Sequence, residues 1–259
     1  MKQLKVFYVI AAIILLSGIM YSCARIIFDD EENGNGSSSS NGNNNLKTGQ
    51  IEIKVTPNSV NKVEFNATAR KITIDWGDGS TDELTPNSVR RNFAHEYPNQ
   101  NLQNIKVNTE GMTSFNCANN SGGIISELRF GNCPELTELN CNSNQLTVLD
   151  VNKCTTLTVL SCNINQLTVL DVSKCTTLAE LSCGNNQLTV LDVSKCTALT
   201  KLYCIGNKLT ASALTTLLIS LPTRIPGSGA VIQYAFNPGT YDCDKTIAEI
   251  KGWFVFLAY

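Results

Sequence analysis

The chain has 259 residues, of which 42% are hydrophobic and 16% charged, and its formal net charge is -2. That length allows two or three compact units, and the near balance of charge offers no clustered basic face for nucleic acid. Eleven cysteines stand against one histidine, His95, which leaves little scope for acid–base chemistry.

The N-terminus reads as an address. "MKQLK" is a short basic head, and "VFYVIAAIILLSGIM" is an apolar run, shorter than a relaxed membrane span of roughly 20 residues. "MYSC" then sets small Ser22 before Cys23. Residues 1–23 resemble a bacterial lipoprotein signal, which implies cleavage and lipidation at Cys23. The alternative is an uncleaved membrane anchor. Either reading places the body outside the cytoplasm, attached to the bacterial envelope at the outer membrane or cell surface. Residues 24–48 include "DDEENGNGSSSSNGNNNLK", a stretch with too little apolar surface to order itself. It reads as a tether that holds the body about 25 Å from the anchor.

Residues 49–110 alternate apolar and polar side chains in "IEIKV", "KVEFNA", "KITIDW", "RRNFAHEY" and "NIKVNT". Period two over short runs separated by turn residues predicts strands, and several strands in so short a span predict a small antiparallel β-sandwich. "DWGDGS" is a tight turn in which Asp78 bonds the local backbone. Trp76 to Ser80, followed by His95 and Tyr97, resemble the signature of PKD-type domains, which implies a spacer or adhesion module. Asp75, Asp78 and His95 could form a metal or catalytic cluster, but the reading preferred here is a hairpin with side chains bonded to backbone. No HExxH, CxxC or EF-hand spacing occurs.

From residue 111 to 209 the chain repeats. "LTELNCNSNQL", "LTVLSCNINQL", "LAELSCGNNQL" and "LTKLYCIGNKL" begin at Leu136, Leu157, Leu178 and Leu199, 21 residues apart. An irregular copy from Met112 fits once three extra residues are allowed near Ser121–Gly123. Leu-x-x-Leu-x-Cys-x-x-Asn-x-Leu resembles the leucine-rich repeat, with cysteine in a usual leucine slot. Five coils suffice to bury a continuous core. Each coil divides into two similar halves, the first predicting a strand and the second a short strand or extended turn. Asn120, Asn144, Asn165, Asn186 and Asn207 should form a ladder that satisfies turn backbone. The cysteines should form two ladders, Cys117 to Cys204 and Cys133 to Cys196. Neighbours in a ladder point the same way, so packing is expected rather than disulfides.

After Lys208 the period ends. "LTASALTTLLISLP" predicts a helix stopped by Pro222, "AVIQYAF" a strand, "NPGTYDCDKTIAEIKGW" a turn and second helix, and "FVFLAY" a last strand. Residues 210–259 resemble the C-terminal end of 21-residue leucine-rich repeat proteins from bacterial surfaces, which implies a cap. The expected fold is therefore mainly β with few short helices: a small β-sandwich, a five-coil solenoid and an α/β cap.

A fold of this kind does not state a function. The sequence shows no nucleophile–histidine pair, phosphate loop or paired acids, so no enzyme, cofactor or metal is expected. The expected role is a cell-surface ligand-binding or adhesion module for a protein partner. The alternatives are a glycan-capture accessory lipoprotein and a structural envelope component. Alternation along the repeat strands turns Glu138, Asn140, Val159, Ser161, Glu180, Ser182, Lys201, Tyr203 and Ile205 outward. These nine are the candidate ligand-binding residues, with Val159, Tyr203 and Ile205 as exposed apolar anchors. Asp150, Asp171 and Asp192, with Lys153, Lys174 and Lys195, are read as turn caps and solvated partners rather than an ion site.

Overall fold

The computed structural model describes residues 46–55, 62–84, 90–97, 101–119 and 125–257. The lipoprotein-type signal with Cys23, residues 24–45 of the tether, Ser121–Gly123 and Asn120 lie outside the described residues. Residues 43–259 form one compact unit.

Six strands lead the chain: β1 (Gln50–Val55), β2 (Lys62–Thr68), β3 (Lys71–Asp75), β4 (Thr81–Leu84), β5 (Arg91–Glu96) and β6 (Gln103–Glu110). Five of them are the alternating runs of the sequence. In β1 and β2 every second side chain is buried, as period two requires. The sixth, β4, reads TDEL and is exposed throughout. It pairs only with β3, at the edge of its sheet, so no buried face imprints a pattern on it.

The repeats follow as β7 (Ser114–Asn116), β8 (Ile125–Phe130), β9 (Glu138–Asn140), β10 (Val148–Asp150), β11 (Val159–Ser161), β12 (Glu180–Ser182) and β13 (Lys201–Tyr203). The first half of each coil is a strand. The second half is a strand only in β8 and β10, and an extended turn thereafter. α1 (Ala211–Ser220), β14 (Val231–Gln233), α2 (Thr246–Ile250) and β15 (Phe254–Val255) complete the chain. The Thr210 hydroxyl accepts from the Ala213 amide and caps α1.

Two sheets hold all of these strands. One runs β10-β8-β1-β6-β3-β4, and the other runs β15-β14-β13-β12-β11-β9-β7-β2-β5. The antiparallel part and the repeats therefore share both sheets. β7 pairs antiparallel with β2 on one side and parallel with β9 on the other. β8 stands in the same way between β1 and β10. One hydrophobic cluster runs from Ile51 to Trp253. Aromatic rings span the position of the 110/111 boundary: Phe65 lies 5.2 Å from Phe115, and Phe115 lies 6.1 Å from Phe130.

Parallel registers stack Leu139, Leu160, Leu181 and Leu202 on one another and then on Ile232. The four leucines are at most 1% exposed. Each burial is worth about 1.5–3 kcal/mol. The asparagine ladder fixes the turn after each strand. Asn165 Nδ2 donates to Cys141 O and Cys162 O at 3.0 and 3.1 Å, and its Oδ1 accepts from Leu146 N at 3.0 Å. Asn186 and Asn207 repeat the pattern. Asn237 takes the next rung from within the cap, accepting from Leu209 N at 3.0 Å.

One residue per coil has a left-handed backbone: Asn119, Ser143, Ile164, Asn185 and Gly206, with Phe236 in the cap. Ile164, at φ 56°, is the poorest choice because its branched Cβ crowds the backbone there, at a cost of about 1–2 kcal/mol. It is 55% exposed, so little packing offsets that cost. Ile164→Asn is expected to stabilise the protein by about 1 kcal/mol, seen as a raised midpoint in urea. An unchanged or lower midpoint would show that the Ile164 side chain contributes packing.

Candidate binding face

The outward residues form rows across the repeat strands. Parallel registers put Glu138, Val159, Glu180 and Lys201 in one row, and Asn140, Ser161, Ser182 and Tyr203 in the next. Rungs lie about 4.8 Å apart, so each side chain leans on its neighbours. Glu180 Oε2 accepts from Lys201 Nζ at 3.0 Å. An exposed pair of this kind adds little to stability, but it removes two lone charges from the face. Ile205 lies in a third row beside Gly184, where an added Cβ would sit 2.9 Å from Ile205 Cγ1. Gly184 therefore makes the space that Ile205 fills.

Eight of the nine sequence-derived residues thus share one side of one sheet and Ile205 lies in the turn after β13, but their exposure differs from expectation. Val159, Tyr203 and Ile205 are half-buried rather than exposed. Ser182 is only 8% exposed, because Ser161 and Tyr203 flank it in the row. Two residues that the repeat pattern did not reach also join the face. Lys201 pairs with Val231, and Val231 with Phe254. The Phe256 amide donates to Ile232 O at 2.9 Å, which carries the second row past Gln233 to Phe256. These two rings are 63% and 50% exposed. They lie outside the 21-residue period, and "FVF" alone showed no face.

Behind the face, nine of the ten described cysteines are buried, Cys243 is half-buried, and none forms a disulfide. Cys141 Sγ donates to Ser161 O, Cys175 Sγ to Val151 O and Cys196 Sγ to Val172 O at 3.5 to 3.7 Å. Burial pushes the Cys183 thiol up to about 12. Cys133, at the end of its ladder, is the exception: the Cys154 thiol donates to its sulfur and holds it below the usual thiol range.

The other candidate clusters fix turns. Asp150, Asp171 and Asp192 each accept, through Oδ1, the backbone amide two residues on, at 3.1, 2.9 and 2.8 Å. Asp75 accepts from Gly77 N in the same way. Asp78 Oδ1 accepts from Ser80 N at 3.0 Å and Ser80 Oγ at 2.6 Å, while His95 Nε2 lies 2.7 Å from Asp78 Oδ2. The Ser80 bonds, with His95 beside them, hold the Asp78 carboxyl well below the usual carboxylate range. His95 stacks on Trp76 at 4.8 Å, and the Tyr97 hydroxyl donates to Trp76 O at 2.8 Å. The hydroxyl of Ser80 is thus turned to a carboxylate, and the ring nitrogen nearest it already faces Asp78. Among the described residues no group of three or more acidic, cysteine or histidine side chains is placed to hold a metal ion. Nor is any helix there long and apolar enough to cross a membrane.

The described chain is mainly β, with repeated coils stacked in parallel register and cysteines aligned inside. No family model matches it, and no curated protein does. Among solved structures it is similar to the functional domain of InlJ from Listeria monocytogenes, which includes a cysteine ladder. The identity is 31% over 48% of this chain and 25% of that one, with a TM-score of 0.37. This chain therefore spans about a quarter of the length of that one.

Proposed function

We propose that this chain is a surface-displayed binding module that takes a protein partner on the outward side of β9, β11, β12 and β13. In this reading a PKD-like sandwich and a five-coil solenoid with an α/β cap are held at the bacterial envelope by a lipid on Cys23. The module is not an enzyme and needs no cofactor. One observation carries the reading. The inward letters of the repeats are the same from coil to coil, whereas the outward rows change from Glu138 and Asn140 to Lys201 and Tyr203. Packing dictates the first set and leaves the second free to suit a ligand. Contact energy at such surfaces concentrates in a few aromatic or apolar residues, and Tyr203, with Ile205 two residues further on, is where the face offers them.

A soluble fragment of residues 43–259 serves as bait. Tyr203→Ala is expected to weaken capture of the partner by about tenfold or more, with an unchanged melting temperature. If Tyr203→Ala and Val159→Glu both bind normally, the partner sits elsewhere. A second reading, glycan capture, draws on Phe254 and Phe256, which add aromatic surface beside Tyr203. Binding on a glycan array, with no protein captured, would favour it.

A further inference from the structure

The sheet that carries the face has two ends, and they are finished differently. Its first edge is β5, which includes Arg91 and Glu96, and the other sheet ends at β4 with Asp82 and Glu83. Charges on an edge strand keep another strand from adding to it. Its last edge is β15, where the sequence from Gly252 to Leu257 reads GWFVFL and contains no charge or proline.

Among the described residues no strand pairs with the far side of that edge. The amides of Phe254 and Phe256 donate to Ala230 O and Ile232 O of the neighbouring strand, both within 2.9 Å. Alternation along a strand then turns the N–H and C=O of Val255 the other way, off the end of the sheet. The Val255 side chain packs against the core, while Phe254 and Phe256 stand outward. Several charges elsewhere in the cap have partners of their own. Lys245 pairs with Glu249 at 3.0 Å, Lys251 Nζ donates to Leu221 O at 2.7 Å, and Arg224 donates to Thr197 O and Leu199 O. Apolar exposure gathers in the same region. Seven of the twelve large hydrophobic residues exposed in the described structure lie from Ile219 to Phe256.

We infer that β15 is a self-association edge whose occupant is β15 of a second copy, paired antiparallel about a two-fold axis at Val255. The edge suits its own copy for three reasons. A two-fold contact requires one surface to complement itself, and Val255 supplies one donor and one acceptor in the same direction, which match two reciprocal N–H···O=C bonds. In that register Phe254 of one copy stands opposite Phe256 of the other, an aromatic cross-strand pair on each side of the axis. Finally, no like charges meet there. The inference rests on Phe254, Val255 and Phe256, whereas the protein-partner reading rests on Tyr203, two strands inward from β15.

Sedimentation of residues 43–259 tests it. The expected result is a mass that doubles as concentration rises toward about 100 µM, and that stays monomeric in the double variant Phe254→Lys, Phe256→Lys. Both side chains are exposed, so the variant should keep its melting temperature. Hydrogen exchange on the unaltered protein supplies a reading that needs no variant: the Val255 amide should gain protection as concentration rises. A protein that remains monomeric with a concentration-independent Val255 exchange rate overturns the inference, as does a dimer that survives the double substitution. A monomer that instead binds a synthetic GWFVFLAY peptide would also overturn it, showing an edge open to extended peptides but not to a second copy.

Discussion

Raising the pH from about 8 to about 11 is expected to unfold the protein completely. Eight ladder thiols, Cys117, Cys141, Cys154, Cys162, Cys175, Cys183, Cys196 and Cys204, are pushed above their ordinary value of 9.0. Burial is the leading cause in seven of them; in Cys154 the hydrogen bond to Cys133 leads. Cys175 is raised to about 12 and Cys196 to about 11. The sign follows from proton binding. Above pH 9 the unfolded chain releases thiol protons that the folded chain keeps, so the unfolded state binds fewer protons and stability falls as pH rises. The contribution is fully present below 9 and is lost toward the folded values. One thiol loses about 1.4 kcal/mol per pH unit in that window. Eight thiols act in this direction and only Cys133 acts against them, so the loss is large against an ordinary domain's stability of about 5–15 kcal/mol. Circular dichroism across a pH series should show a steep transition, and replacing Cys183 and Cys204 by alanine should move it to higher pH in protein that still folds. A chain that keeps its strands well beyond pH 11 would mean that the ladder is not shielded from water.

Asn186→Ala is expected to cost about 3–5 kcal/mol, well beyond an average substitution. Asn186 Nδ2 donates to Cys162 O, Cys183 O and Gly184 O at 3.0 to 3.2 Å, and Oδ1 accepts from Leu167 N at 3.0 Å. Truncation strands buried backbone groups that no water reaches. Asn144 is the built-in control. Its Nδ2 makes the same donations to Cys117 O, Cys141 O and Asn142 O, but its buried Oδ1 has no hydrogen-bond partner among the described residues. The donor 19 residues upstream would be Ile125, and that residue opens β8, which pairs with β1. Asn144→Ala should therefore cost about 1–2 kcal/mol less than Asn186→Ala. Equal losses in urea unfolding would show that the accepted bond adds nothing.

The regular parts of this molecule were readable because packing writes a period into the sequence. Leu160, Cys162 and Asn165 recur at 21-residue spacing since each stacks on its own copy, and alternation exposed the buried sides of β1, β2 and β6. Where no buried face exists, nothing is written, and β4 went unseen for that reason. The pairings of β2 with β7 and of β1 with β8 join residues 46 to 79 positions apart, and no local pattern encodes them. The outward direction of Glu138 to Tyr203 was legible, whereas the burial of Ser182 was not, because exposure depends on what the adjacent rungs carry. Phe254 and Phe256 join the face through a strand pairing in the cap, beyond the last repeat.

The shared sheets also decide how this molecule bears load. A pull from the N-terminal side meets its first described strand at β1, which lies between β6 and β8 and is antiparallel to both. Tension then runs along the axis of β1. The bonds of two ladders resist together, in shear, rather than opening one after another like a zipper, and a forced rupture of this kind is governed by its unfolding rate. With a lipid on Cys23, as proposed above, the strand nearest the attachment would be the part best braced against being drawn out, and the repeat coils would lie on the far side of that brace.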